Sequence, residues 1–303
     1  MAGGAAIAAP PACDDRTEKS TVDPLQYSIQ VSPWGISRVP AKRAQLSSVN
    51  FQRTYVLGES YESVKEDAIH VLGKYLRYPD LIMFDDLNRS VTFSTERLIP
   101  AVSSNRPRVM LLFSNPHPHS VYQGMFLSPN TRGLANPFWS VMRDAGWLSF
   151  SEGKRNPKEL ADICMTAEYQ GPFELVFYCY YAFPTGLPED IRRIFGDEYF
   201  SQSIKPEAVH EFVNTVQETA VDAVVAFNKE VFNLVSEVQV GRCVERLMEG
   251  ELIQSQIGGI DRHVPTFLTF PTGWRYHKRY KQLRSASLDM IRSAIFGEAN
   301  TSR

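Results

Sequence analysis

Short apolar runs alternating with helically spaced stretches set the pattern of this chain. The clearest run is 109–113, bounded by Pro107 on one side and by Ser114-Asn115-Pro116 on the other. Such a run predicts a buried strand that ends in a polar, proline-rich loop. A well-marked helix follows. Asn136 is a natural N-cap, Pro137 takes the first helical position, and Gly146 stands where a C-terminal cap is expected. Strand, polar loop and helix make half of a parallel α/β unit, in which ligands gather at the carboxyl ends of strands.

Three more runs, at 175–181, 223–227 and 266–270, predict further core strands. Between them Pro188-Glu189-Asp190 and Pro206-Glu207 read as helix starts, and Val231, Phe232 and Val235 continue a third helix. From Tyr276 a last helix carries Tyr280, Leu283, Ser287, Ile291 and Ala294 on one face. Upstream, Tyr61, Val64, Ala68, Val71, Leu72 and Tyr75 recur at helical spacing, while 81–84 and 91–93 predict a short hairpin or two edge strands. Residues 149–171 read as polar and irregular. Strands alternating with helices imply an α/β fold, here a three-layer αβα sandwich around a mostly parallel sheet of about four strands. Three segments are expected: a flexible tail over 1–45, an α/β extension over 46–104 packed on the core, and the main α/β domain over 105–303.

Composition narrows the function. In 303 residues, 43% hydrophobic and 22% charged, the chain has the make-up of a soluble globular protein. A net charge of −2 gives no global basic footprint, so a nucleic-acid partner would need a local patch. The four cysteines form no CxxC pair and read as reduced thiols of an intracellular protein, cytoplasmic or nuclear. No run of 18 apolar residues predicts a membrane span, and the opening stretch lacks the basic start of a secretory signal.

The candidate chemistry sits in three strand-end loops, 114–126, 182–186 and 270–275. There is no GxSxG elbow and no GxxxxGK[ST] loop, which argues against a Ser-His-Asp hydrolase and removes a P-loop NTPase, and the absence of a GxGxxG fingerprint weakens a dinucleotide dehydrogenase reading. His117 and His119 form an H-x-H pair, but without an accompanying HExxH-type motif the expectation is loop histidines and no metal. Arg275, Lys278, Arg279, Lys281 and Arg284 follow Thr272-Gly273 at a helix start, with no acid among them. The helix dipole there already favours an anion, and Trp274 adds a ring able to stack on or wedge between bases.

In these motifs the chain resembles the uracil-DNA glycosylase superfamily, most closely its mismatch-specific thymine/uracil branch. Leu112-Phe113-Ser114-Asn115-Pro116-His117 is similar to the family's strand followed by Gly-Ile-Asn-Pro-Gly. Phe126-Leu127-Ser128-Pro129 and Asn136-Pro137-Phe138-Trp139 look like its F-x-x-P and N-x-F-W segments. Ala182-Phe183-Pro184-Thr185, Val225-Ala226-Phe227-Asn228-Lys229 and Phe270-Pro271-Thr272-Gly273-Trp274-Arg275 resemble the later strand-end motifs. The resemblance spans about residues 105–296, in order. It implies a DNA glycosylase of base excision repair, a monomer without cofactor, acting on a flipped damaged or mispaired base, with uracil as the default. Asn115 would orient the attacking water; Ser114, His117, Phe126 and Phe270 would line the base pocket. Thr272, Gly273, Trp274, Arg275, Lys278 and Arg279 would grip DNA. Ser114 and His117 replace glycines, and Phe270 replaces a polar residue, so a catalytically silent protein of this fold that binds nucleic acid or a nucleotide is the alternative. A hydrolase using His117 and His119 on a metal is a third.

Overall fold

The computed structural model describes residues 49–101, 104–130, 133–150, 156–272 and 274–301, with the backbone alone for 274–279 and 298–301. The expected tail over 1–45 lies outside the described residues. Eight strands form one sheet: β1 (Asn50–Val56), β2 (Ile82–Asp85), β3 (Ser90–Leu98), β4 (Arg108–Phe113), β5 (Glu174–Cys179), β6 (Ala223–Ala226), β7 (Ile253–Gln256) and β8 (Pro265–Leu268). The helices are α1 (Tyr61–Leu72), α2 (Pro118–Gln123), α3 (Pro137–Asp144), α4 (Pro157–Thr166), α5 (Glu189–Tyr199), α6 (Lys205–Thr219), α7 (Lys229–Val235), α8 (Cys243–Met248) and α9 (Trp274–Thr301).

The expectation of about four mostly parallel strands needs correction. The sheet is mixed, in the order β1-β3-β5-β4-β6-β8-β7, with β2 paired to β3 off that path. The four strands expected from apolar runs are its parallel centre, through the β4–β5, β4–β6 and β6–β8 ladders. The β1–β3, β2–β3, β3–β5 and β7–β8 pairs are antiparallel. Central parallel strands are buried on both faces and so read as unbroken apolar runs. Strands near an edge are half wet and carry polar residues, which hides them. β1, with Gln52, Arg53 and Thr54, and β7, with its buried–exposed alternation, are of this kind. The 46–104 segment thus supplies three strands of the same sheet, β2 and β3 forming the expected hairpin.

Each face of the sheet has its own core. Met110, Leu112, Val224 and Ala226 pack with residues of α1, α5, α6 and α7. Val109, Leu111, Phe113, Ala223 and Val225 pack with residues of α3, α4 and α9. This in–out alternation fixes the register of the central strands, since a one-residue slip would exchange the two cores. The helix ends follow local chemistry. Asn136 caps α3 by accepting the Phe138 N–H, Pro137 follows it, and Gly146 beyond the helix has φ +70°, a conformation glycine adopts freely. Asn156-Pro157 repeats that start for α4, whose Asn156 accepts the Glu159 N–H at 2.9 Å. So 149–171 is not irregular throughout; its middle is a helix.

No helix among the described residues is long and apolar enough to cross a membrane. Cys164, Cys179 and Cys243 are buried free thiols.

Candidate active site

Because β4, β5, β6 and β8 are mutually parallel, their carboxyl ends share one edge of the sheet. The loops after β4 and β5 are laced together there. Tyr180 N–H donates to Phe113 O at 2.9 Å, Tyr181 N–H to Ser114 O at 2.8 Å, and Thr185 N–H to Pro116 O at 3.1 Å. This lacing holds Asn115, half-buried, in one orientation.

The Asn115 amide is fully specified by its neighbours. Its Nδ2 donates to the carbonyl and to the hydroxyl of Thr185, both at 2.9 Å. That hydroxyl donates to Leu187 O at 2.8 Å, so towards Asn115 it can only accept. Ser114 Oγ donates to Asn115 Oδ1 at 3.0 Å. A flipped amide would set oxygen against the Thr185 carbonyl. The nitrogen is therefore locked inward, and Oδ1 keeps acceptor capacity beyond its bond from Ser114. Thr185 itself is fully buried.

His117 caps α2, its Nδ1 accepting the His119 N–H at 3.2 Å. Its Nε2 lies 3.4 Å from Tyr75 Oη, and the two rings meet edge-on. Although the ring is open to solvent on one side, partial desolvation, then the nearby His119 and Lys74, lower its pKa to about 4. It is therefore neutral at pH 7, and because Nδ1 accepts, its one N–H is on Nε2, facing Tyr75 Oη. His119 Nε2 meets Pro129 O at 2.8 Å and its Nδ1 meets Tyr78 Oη at 3.0 Å. All four ring nitrogens face protein partners, and the two rings turn to different ones rather than to a common point. Among the described residues no group of three or more His, Cys, Asp or Glu is placed to hold a metal ion.

The remaining expected residues are dispersed. Ser114 is in place beside Asn115. Phe126, 2% exposed, lies in the core between the rings of Phe113 and Phe177, with centroids 5.8 and 5.5 Å away. Phe270, 1% exposed, stacks on Tyr280 at 5.6 Å. Thr272 is half-buried. Gly273 lies outside the described residues, as do the side chains of Trp274, Arg275, Lys278 and Arg279, whose backbone opens α9. Further along, the basic stretch is not one solvated face. Lys281 pairs with Asp144 at 3.3 Å. Arg284 is buried, with its Nε and Nη1 unpartnered, and desolvation lowers its pKa to about 10.

Sequence reasoning missed Thr185, Gly186 and Tyr75 as site residues. A Cβ at Gly186 would come 3.3 Å from Tyr75 Oη, so the glycine permits Tyr75 to close against this loop. The Pro184-Thr185-Gly186 turn at a strand end was the available signal for the first two. Tyr75 had none, because its role depends on a contact 42 residues away in sequence.

No protein-family model matches the chain, and no curated protein sequence matches it.

Proposed function

We propose that this protein is a monofunctional DNA glycosylase of the uracil-DNA glycosylase type, acting in base excision repair inside the cell as a monomer. The observation that carries the reading is the Asn115 amide, locked by Thr185 with Oδ1 left to accept from a water. Hydrolysis of an N-glycosidic bond needs no metal. Water oxygen bonds to C1′ as the C1′–N bond breaks through an oxocarbenium-like sugar, and the base leaves as an anion that takes up a proton. Asn115 orients the water, a positioning role that requires a fixed amide. The base is reached by flipping, which costs least for a mispaired or unpaired nucleotide. The order of motifs and the parallel centre of the sheet support the same assignment, with Thr272, Gly273, Trp274, Arg275, Lys278 and Arg279 as the DNA grip. Uracil is the default substrate.

A catalytically silent nucleic-acid-binding protein of this fold is the second reading. It is favoured by the burial of Phe126 and Phe270, which leaves neither ring a free face for a base. The two separate in a base-release assay on single- and double-stranded oligonucleotides carrying uracil, thymine mismatches, hypoxanthine or xanthine, read by heat–alkali cleavage of abasic sites. Release of any one base supports the glycosylase; binding without release across the panel supports the silent protein.

A further inference from the structure

Beside the Asn115 loop the surface carries an aromatic cluster interleaved with cations. Tyr78 and Tyr122 stack with centroids 4.4 Å apart and planes 19° from parallel, and Tyr75 continues the series 6.5 Å from Tyr78. Lys74 Nζ sits 4.7 Å from the Tyr75 ring centre and Arg77 Cζ 5.4 Å from that of Tyr78. Tyr122 is 48% exposed, so its outer side is open to solvent. The cluster is anchored to the candidate site through Tyr75–His117 and Tyr78–His119. A tyrosine stack held half in water and flanked by Lys74 and Arg77, with Asp80 the only acid in the same connecting segment, is poorly explained as core.

We propose that Tyr75, Tyr78 and Tyr122, with Lys74 and Arg77, form a stacking platform for single-stranded nucleic acid next to the Asn115 loop. The proposal rests on the glycosylase reading for what the strand is, namely the nucleotides flanking the one presented to Asn115. Every base has a π-face, so such a platform tolerates any sequence, and the interleaved cations follow the backbone phosphates. It also gives the 46–104 segment a role in substrate binding: the turn after α1 carries four of the five platform residues, and α2 carries Tyr122. A proline-rich peptide would use the rings but would not need the cations.

The test is fluorescence anisotropy of a short fluorescein-labelled single-stranded DNA with the full chain. Tyr122→Ala is expected to weaken binding about tenfold, the usual loss for one stacked base, while Tyr122→Phe and Tyr122→Trp retain it. Tyrosine 122 is half exposed, so these variants should keep the fold, and circular dichroism checks that. In Tyr122→Trp, DNA should quench the new indole. Removing Lys74 and Arg77 together should flatten the salt dependence by about 0.7 per cation. Tyr122→Ala binding as tightly as wild type, or a wild type that binds no oligonucleotide, overturns the platform. Base release with unaltered binding in Tyr122→Ala sinks the platform and leaves the glycosylase standing. Loss of binding in that variant, with no release by any form of the protein, keeps the platform and sinks the glycosylase.

Discussion

Asn115 Nδ2 donates to both the carbonyl and the hydroxyl of Thr185, each at 2.9 Å. Two loops that follow different strands are thereby joined through one amide, and the join decides which way that amide faces. Thr185→Val keeps the shape but removes the hydroxyl that accepts from Asn115. Base release should fall roughly 10- to 100-fold in kcat with substrate binding little changed, because a misplaced group near the reacting atoms costs on that scale. Thr185→Ser, which restores the acceptor, should recover most of the rate. Equal rates for the valine and serine variants would remove Thr185 from the positioning of Asn115.

Neutral His117 has a direct signature. Its ring should titrate in an NMR pH series with a midpoint near 4 instead of the ordinary 6.5. Between those values the unfolded ring holds a proton that the folded ring does not. The unfolded state therefore binds more protons, and stability falls as pH drops from about 6.5 to 4. His117→Asn, which keeps a capping acceptor without a titrating ring, should flatten that part of the stability curve. A midpoint at or above 6.5 would contradict the packing described for the ring.

Glu96 gives the opposite slope. It is 4% exposed, its Oε2 has no hydrogen-bond partner, and burial pushes its pKa well above 4.5. It lines a cavity of about 20 Å³ that is also bordered by Tyr180, whose hydroxyl is likewise unpartnered. That volume admits one water. Above pH 4.5 the unfolded carboxyl loses its proton while the folded one retains it, so stability falls as pH rises until the folded pKa is passed. Glu96→Gln should raise Tm by a few degrees at pH 7 and leave it almost unchanged at pH 4. An equal shift at both pH values would mean that charge is not the cause.

Phe126 is assigned to the base pocket by resemblance and to the core by its neighbours. Phe126→Ala should cost ~3–5 kcal/mol in urea denaturation, the range for truncating a buried phenylalanine. A cost below ~1 kcal/mol together with lost base release would return the ring to the pocket.

What could be read from the chain follows from burial. The four central strands announced themselves because both their faces are dry, and α3 because Asn136-Pro137 and Gly146 are local signals that no tertiary contact overrides. β1 and β7 escaped because edge strands are half polar. α4 is hard to read although Asn156-Pro157 repeats the α3 start, since the segment around it is polar and offers no clear apolar periodicity. Of the site, Ser114 and Asn115 were legible as a polar break after an apolar run. Thr185 belongs to the 182–185 strand-end motif, yet its bond to Asn115 spans 70 residues and leaves no local signal. The Tyr75–His117 contact joins the 46–104 extension to the loop after β4, across 42 residues, so no local pattern announces it.

The most direct test of the central claim is single-turnover base release by wild type and Asn115→Ala on whichever oligonucleotide of the panel the wild type cleaves, with anisotropy of the same DNA run alongside. The account predicts release that disappears in Asn115→Ala while binding stays within a few-fold of wild type. Release at the wild-type rate from Asn115→Ala would contradict it, since no other side chain of the β4 loop holds an amide oxygen in that position.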